Sequence, residues 1–156
     1  SIRIQYPQCG EIYKIGELDI TMLYPDSVIS RQTRNINNAS IVLRVDHTKN
    51  SFLFTGDAEE EAEQLYQRFS KFLDVDVVKV GHHGSKTSST QQVVDKTSAQ
   101  FAIISCGINN KFNHPSEMIV NRWMDSGARV LRTDINGAVI IESDNQNLFL
   151  TTMINP

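Results

Sequence analysis

The sequence predicts an α/β fold, in which a mixed β-sheet carries helices on one outer face. Three observations lead to this prediction. Short β-type segments fill the first third of the chain, strands then alternate with helical periodicity, and residues 75–80 and 101–106 are almost continuous apolar runs. Such runs are typical of central strands that are covered on both faces. With 156 residues, 40% of them apolar and 21% charged, the chain suits one domain with one core.

The first part of the chain reads as short strands because β-branched and aromatic residues recur between breaks at Pro and Gly. The breaks fall at Pro7, Gly10, Gly16 and Pro25. The predicted strands cover residues 2–6, 11–15, 18–24, 41–45 and 51–54, and a polar loop covers residues 26–38.

The period of the apolar residues changes at Ala58, after which they recur at helical spacing as far as Leu73. Four glutamates crowd the start of this helix, where the helix dipole favours acids. The pair Asn136-Gly137 is a hairpin turn signal. The elements expected after the first helix are strands at 75–80, 101–106, 129–132, 138–142 and 148–152, helices at 90–97 and 116–125, and loops at 81–89 and 107–115.

Composition excludes several classes of protein. Two cysteines 97 positions apart exclude a disulfide framework and a structural zinc finger. No apolar run approaches the roughly 20 residues of a membrane span, and no leader pattern opens the given sequence. The net charge of −3 excludes a globally basic nucleic-acid coat protein. Residues 79–132, however, hold seven basic and three acidic residues, a net +4. This half of the chain is expected to attract an anionic partner, unless the charges are merely scattered over a solvated surface.

The first candidate site residue is Asp57, which follows an apolar strand directly after Thr55 and Gly56. A carboxylate at the end of a strand can ligate a divalent cation. Asp57 could instead cap the following helix, with Glu60 three residues later completing a capping box. The sequence leaves both interpretations open.

The second candidate is the loop 81–89, which carries two adjacent histidines, His82 and His83, between glycines. Successive side chains of an extended segment point in opposite directions, so at most one imidazole is expected to face a given metal. Ser85, Lys86 and Ser88 precede a helix and are candidate phosphate contacts, together with backbone N–H groups. The alternative is a surface loop with two solvated histidines.

The third candidate is the loop 107–115, in which Asn110 and His114 are candidate phosphate contacts. His114 could also be a metal ligand, or a plain cap residue with Pro115 at the first helical position. His47 lies in a predicted hairpin turn and is interpreted as a surface residue. In open α/β sheets, sites usually lie beyond the carboxyl ends of the strands, where these loops are found.

Five segments taken in order carry a resemblance to a known family. They are NNASIVL (37–43), FLFTGDAE (52–59), VKVGHHGSKTSS (78–89), IISCGINNKFNHPS (103–116) and LRTDINGA (131–138). Together they resemble the C-terminal metallo-β-lactamase-like domain of ComEC-type competence proteins, the DNA-internalisation channel family. The resemblance extends from about residue 18 to residue 143.

This resemblance implies the second half of an αββα sandwich and a hydrolase, a metal-dependent phosphodiesterase or nuclease that acts on DNA during uptake for natural transformation. It implies that Asp57 and His83 bind metal, that His82 is a catalytic or substrate partner, and that His114 lies near the same cleft. The cofactor would be zinc or manganese, with two ions in the intact domain. Asn38 and Ser40 occupy positions where many relatives of the superfamily have another ligand histidine.

The same resemblance implies a multi-pass parent protein in the bacterial cell membrane, with this domain outside the cytoplasm. The partners would be DNA and the rest of that membrane protein.

The sequence also departs from the superfamily, because it has no H-x-H-x-D-H ligand cluster and no histidine before His47. Residues 1–156 are therefore expected to form a single partial domain that lacks the upstream half, holds at best one ion loosely and is inactive alone. A half-sandwich exposes a sheet face or edge, so self-association is expected. Two alternatives are a non-catalytic module that binds DNA or a protein partner, and a soluble esterase of the same superfamily with another substrate.

Overall fold

The structure, a computed structural model, describes residues 6–26 and 33–155. The predicted strand 2–6 lies outside the described residues except for Tyr6, and so do residues 27–32 of the predicted loop. Within the described ranges there are nine strands and four α-helices. The strands are β1 (Ile12–Ile15), β2 (Leu18–Tyr24), β3 (Val42–His47), β4 (Asn50–Phe54), β5 (Val77–Lys79), β6 (Phe101–Ile104), β7 (Arg129–Arg132), β8 (Val139–Ser143) and β9 (Leu148–Thr152). The helices are α1 (Glu60–Tyr66), α2 (Gln91–Thr97), α3 (Glu117–Asp125) and α4 (Thr133–Asn136).

Strands β1 to β7 form one sheet in chain order. The pairs from β1 to β4 are antiparallel, and the pairs from β4 to β7 are parallel. Phe54, Lys79 and Ile103 are in register across β4, β5 and β6. The loops that follow these three strands therefore leave the sheet at the same edge. The predicted mixed sheet is confirmed.

Helices cover one face of this sheet. Leu53, Val78 and Ala102 are neighbours in the register of β4, β5 and β6, and each is at most 1% exposed. They belong to one apolar cluster with Tyr66 of α1 and Trp123 of α3, which are equally buried. Burying a Leu or Val side chain is worth about 1.5–3 kcal/mol relative to exposure, so this layer contributes strongly to the stability of the fold.

The other face of the sheet meets the two-stranded sheet formed by β8 and β9. An apolar groove between them is lined by Phe52, Val77 and Ile103 from the large sheet and by Val139 and Ile141 from β8. At the end of this contact, Asn50 Nδ2 donates to Ser143 Oγ at 2.8 Å.

Two sequence predictions about this region are wrong. Asn136 and Gly137 do not form a hairpin turn, because Asn136 ends α4 and β7 and β8 lie in different sheets. The hairpin instead joins β8 to β9. His47 is not a plain surface residue, since its side chain is 19% exposed and its Nδ1 lies 2.8 Å from Ser143 Oγ.

The first helix is shorter than its apolar spacing predicts. It begins at Glu60, and at Tyr66 it gives way to a 3-10 segment, Gln67–Phe72, in which Phe69 has φ −88° and ψ 41°. Among the described residues, no helix is long and apolar enough to cross a membrane.

Candidate active site

The loops that follow β4, β5 and β6 are hydrogen-bonded to one another at the carboxyl edge of the sheet. The N–H of His82 donates to the Gly56 carbonyl at 3.1 Å, and the N–H of Ser116 donates to the Gly84 carbonyl at 2.8 Å. The middle loop, which carries the two histidines, is therefore bonded to both of its neighbours. This arrangement brings together three candidates that lie far apart in the sequence, Asp57, His83 and His114.

Asp57 does not cap α1. The helix begins at Glu60 and its N-cap is Glu59, so Glu60 cannot occupy the third helical position that a capping box needs. The capping interpretation is therefore wrong. The backbone N–H of Asp57 donates to Ser40 Oγ at 3.0 Å, and Asp57 Oδ1 lies 3.4 Å from Nε2 of His83.

The ring of His83 is oriented by a backbone carbonyl. Its Nδ1 lies 2.7 Å from the Ser105 oxygen, which can only accept a hydrogen bond, so the proton is on Nδ1. In the neutral ring, the lone pair of Nε2 is then on the side that faces Asp57. Histidines that bind metals have this pattern, in which the other ring nitrogen donates to a carbonyl or carboxylate.

The spacing of the two side chains suits one shared cation. Two tetrahedral ligands at about 2.1 Å from a zinc ion lie about 3.4 Å apart, and Asp57 Oδ1 and His83 Nε2 are separated by 3.4 Å. Both side chains are partly exposed, at 41% and 45%, so an ion can reach them from solvent. The residues present therefore fit a cation held by one carboxylate and one imidazole.

His82 faces a different partner from His83. Its Nδ1 is buried and lies 3.1 Å from Glu59 Oε1, in a contact that is not an aligned hydrogen bond. Its ring lies 5.5 Å from that of His114, edge to face. Both adjacent histidines have positive φ, 45° and 55°, a conformation that costs energy for a residue with a side chain. The two imidazoles have different partners, but the extended conformation that the sequence prediction assumed is wrong, because both residues lie in the left-handed helical region.

Sequence reasoning missed Glu59 as a site residue. Asn35 Nδ2 and Asn37 Nδ2 donate to its two carboxylate oxygens at 3.0 and 2.8 Å. Asn38 Oδ1 accepts the Glu59 backbone N–H at 3.0 Å. Glu59 is thus held on three sides while its carboxylate contacts His82. The asparagine cluster was the available signal, but nothing local in the sequence pairs it with an acid more than 20 positions later.

His114 lies beside the two histidines of the middle loop. Partial burial, together with the nearby His82 and His83, lowers the pKa of His114 below its usual 6.5. The interpretation of His114 as a cap residue is wrong, because Ser116 is the N-cap of α3 and the helix begins one residue later. His114 as a ligand or phosphate contact stays a prediction.

The side chain of Asn110 is engaged within its own loop. Its Nδ2 donates to the carbonyls of Gly107 and His114 at 3.0 and 2.6 Å, and its Oδ1 accepts from the N–H groups of Phe112 and His114. Asn110 therefore orders the loop that presents His114. A phosphate contact by Asn110 stays a prediction.

The hydroxyls of the middle loop also serve its folding. Ser88 is buried and its Oγ donates to the Gly81 and Ser85 carbonyls at 2.8 and 3.0 Å. Ser85 is buried as well, and its Oγ lies 3.0 Å from Thr87 Oγ1. Lys86 is exposed. Of the three residues of this loop that are predicted to contact phosphate, Lys86 is the one with a solvent-facing side chain, and all three contacts stay predictions.

The backbone N–H groups at the end of this loop are already bound. The carboxylate of Glu63, in α1, accepts from Ser89 N at 2.5 Å and from Thr90 N at 2.7 Å. These two donors are consequently not free for the phosphate cradle that the sequence suggests at the helix start.

A lysine that sequence reasoning did not select also lies near the site. Lys79 is largely buried, and this burial lowers its pKa, while the nearby Asp57 carboxylate opposes the change. Within residues 6–26 and 33–155, no group of three or more His, Cys, Asp or Glu side chains is arranged to hold a metal ion. The candidate cation site therefore consists of the two side chains of Asp57 and His83.

The fold and site define an α/β protein with an aspartate and three histidines clustered at the carboxyl edge of a mixed sheet. Comparison with known proteins identifies its relatives. The chain is 34% identical to "ComE operon protein 3" of Bacillus subtilis over 138 residues, which is 88% of this chain and 17% of the relative. It is 38% identical to "Recombination protein 2" of Haemophilus influenzae over 122 residues, and 35% identical to "Competence protein ComA" of Neisseria gonorrhoeae over 123 residues.

These two matches each cover 78% of the chain, and 15% and 17% of the respective relatives. Over most of its length the chain is thus similar to proteins of the ComEC-type competence family, of which it spans about a sixth, and the resemblance predicted from the sequence is confirmed. No family profile matches the chain.

Proposed function

We propose that the chain is part of a metal-dependent phosphodiesterase of the metallo-β-lactamase-like class that acts on DNA during uptake. The names of two relatives refer to competence and recombination, which supports a substrate of DNA. The observation that most directly supports metal-dependent chemistry is the 3.4 Å distance between Asp57 Oδ1 and His83 Nε2. The Ser105 carbonyl orients the imidazole for this contact.

On this proposal each residue of the cluster has a separate task. Asp57 and His83 hold a divalent cation, zinc or manganese, which stabilises the charge that develops on a phosphodiester during hydrolysis. His82 and His114 lie on the adjoining side of the cleft, where an imidazole N–H can donate to a phosphate oxygen. Lys86 contributes positive charge that attracts the DNA backbone.

Two protein ligands are fewer than the three that catalytic zinc sites have. We therefore propose that the remaining ligands, and a second ion, belong to another part of the longer protein, and that this segment alone binds metal weakly and is inactive. The partners on this proposal are DNA, the rest of a membrane protein with this domain outside the cytoplasm, and a second copy of the segment.

The test is cleavage of end-labelled single-stranded and duplex DNA by the longer protein in the presence of manganese or zinc. Asp57→Asn and His83→Ala are each expected to lower the rate at least about 100-fold, and chelation of the metal should abolish cleavage. The matched control is Asp95→Asn, an exposed aspartate on α2. Cleavage by both site variants at the parental rate would refute the proposal. DNA binding that needs neither metal nor Asp57, without cleavage, would instead favour a non-catalytic module.

A further inference from the structure

Phe112 is an exposed aromatic residue beside the candidate site. Its side chain is among the most exposed large apolar groups of the described residues, at 65%, although burial of an aromatic ring is favourable. Its ring stacks on that of His114, with centroids 5.8 Å apart and an interplanar angle of 18°. The stacked pair presents an aromatic surface to solvent at the edge of the cleft.

We infer that Phe112 is a stacking platform for an unpaired nucleobase, so that the site takes a single strand of nucleic acid in preference to a duplex. This inference rests on the proposed function only for the identity of the neighbouring site. The binding that it requires needs neither metal nor hydrolysis.

The loop that carries Phe112 is ordered, which a platform requires. The amide of Asn110 makes four hydrogen bonds within the loop, one of them from the Phe112 backbone N–H at 3.2 Å. The N–H of Asn113 also donates to the Asn110 carbonyl, at 3.2 Å. These hydrogen bonds hold the loop backbone, and the ring itself stacks on His114, so less conformational entropy is lost when a base stacks on it.

A cation accompanies the ring. Lys111 Nζ lies 4.9 Å from the Phe112 ring centroid, and its side chain is exposed. Proteins that bind single strands combine an aromatic ring, on which a base stacks, with cations that follow the phosphate backbone. The neighbouring pair of Lys111 and Phe112 supplies both in one turn.

The platform is continuous with the candidate site. The ring of His114, on which Phe112 stacks, lies 5.5 Å from the ring of His82, and that ring lies 6.4 Å from His83. A strand whose base stacks on Phe112 thus passes its backbone close to the histidine cluster. In a duplex the bases are paired and stacked on one another, so none is available to the ring without the cost of unpairing.

The test is the binding of a fluorescein-labelled oligothymidylate of about 15 nucleotides, followed by fluorescence anisotropy in the presence of a chelator. The chain with Phe112→Ala is expected to bind between about 5-fold and 150-fold more weakly than the parent, and Phe112→Trp should restore binding. Phe149→Ala is the matched control, because Phe149 is 52% exposed on β9, away from the site. The parent should bind a duplex of the same length more weakly than the single strand.

An abasic oligonucleotide of the same length separates stacking from the rest of binding. The parent and Phe112→Ala chains should bind it equally, since it offers no base to the ring. The inference is overturned if the Phe112→Ala chain binds oligothymidylate as tightly as the parent does. It is also overturned if the substitution weakens binding of the abasic strand as much as binding of oligothymidylate, or if the parent binds no single strand. Because no metal is present, loss of DNA cleavage in the longer protein leaves this result unaffected, and the two proposals fail separately.

Discussion

The buried carboxylate of Glu63 connects the core to the histidine loop, and its removal is a direct test of how that loop is held. Glu63 is 2% exposed and accepts the N–H groups of Ser89 and Thr90. Two groups of α3 also bind Ser89: Arg122 donates to its carbonyl, and Trp123 Nε1 donates to its Oγ at 3.2 Å. The end of the histidine loop is therefore bound from two helices.

The expected cost of Glu63→Ala follows from the donors that it leaves without a partner. An unsatisfied buried N–H costs about 1–3 kcal/mol. Ser89 is buried, whereas Thr90 is half-buried and its N–H can recover water. Loss of a buried charge offsets part of this cost, so we expect a decrease of about 1–3 kcal/mol in the free energy of unfolding. Glu63→Gln keeps one acceptor oxygen and should cost about half as much.

The assay is urea unfolding at pH 7, followed by circular dichroism, with Glu60→Ala as the matched control. Glu60 is exposed on the same helix, and its removal should change the free energy of unfolding by at most about 0.5 kcal/mol. If Glu63→Ala is no less stable than Glu60→Ala, the two hydrogen bonds to the loop do not stabilise the fold, and the reasoning is refuted.

Three further predictions concern stability. Gly84→Ala should destabilise the chain by about 1–3 kcal/mol or more, because Gly84 has φ +77° and an added Cβ would lie 2.6 Å from Pro115 Cβ. Gly107→Ala should leave the stability unchanged, because nothing lies within 4 Å of the added Cβ. Equal urea midpoints for Gly84→Ala and Gly107→Ala would contradict the prediction for Gly84. Leu53→Ala should cost about 2–5 kcal/mol in the same assay, since Leu53 is 0% exposed; a loss below 1 kcal/mol would count against its place in the core. Burial raises the pKa of Glu63 above its usual 4.5, so its contribution to stability is full below that pH and declines as the pH rises. Urea midpoints measured from pH 4 to 7 should show that Glu63→Gln lacks this decline. A Glu63→Gln chain with the same pH dependence as the parent would contradict the prediction.

Much of the sheet follows from local sequence. Strand β2 covers residues 18–24 as predicted, because its β-branched residues lie between Gly16 and Pro25. The parallel strands β5 and β6 lie within their predicted apolar runs, although each is shorter at its carboxyl end. There the chain leaves the sheet to form the loops of the site, and an apolar residue at a strand end gives no local sign of this.

Other features depend on contacts between distant parts of the chain. An Asn-Gly pair favours a tight turn, but Asn136 Oδ1 accepts the Arg132 N–H and the pair ends a helix. The apolar spacing after Tyr66 continues, yet Phe69 leaves the helical region. Hydrophobic periodicity alone does not distinguish an α-helix from the 3-10 segment that follows it.

The candidate site also combines features that follow from the sequence with features that depend on distant contacts. The proximity of Asp57 and His83 could be predicted, since both follow neighbouring parallel strands and such strands end at one edge of the sheet. The roles of Glu59 and Phe112 could not. Glu59 is recognisable by hydrogen bonds from asparagines more than 20 positions away, and Phe112 by its exposure, which the sequence does not give.

Long-range ¹H–¹⁵N correlation spectra of the histidine rings, recorded during a zinc titration, test whether Asp57 and His83 bind zinc. We expect zinc to shift the His83 Nε2 signal while the proton stays on Nδ1, which donates to the Ser105 carbonyl. Asp57→Asn should weaken zinc binding at least about tenfold, whereas Asp95→Asn should leave it unchanged. Zinc binding by these two residues would be contradicted if zinc did not move the His83 signal, or if the Asp57→Asn chain bound zinc as tightly as the parent.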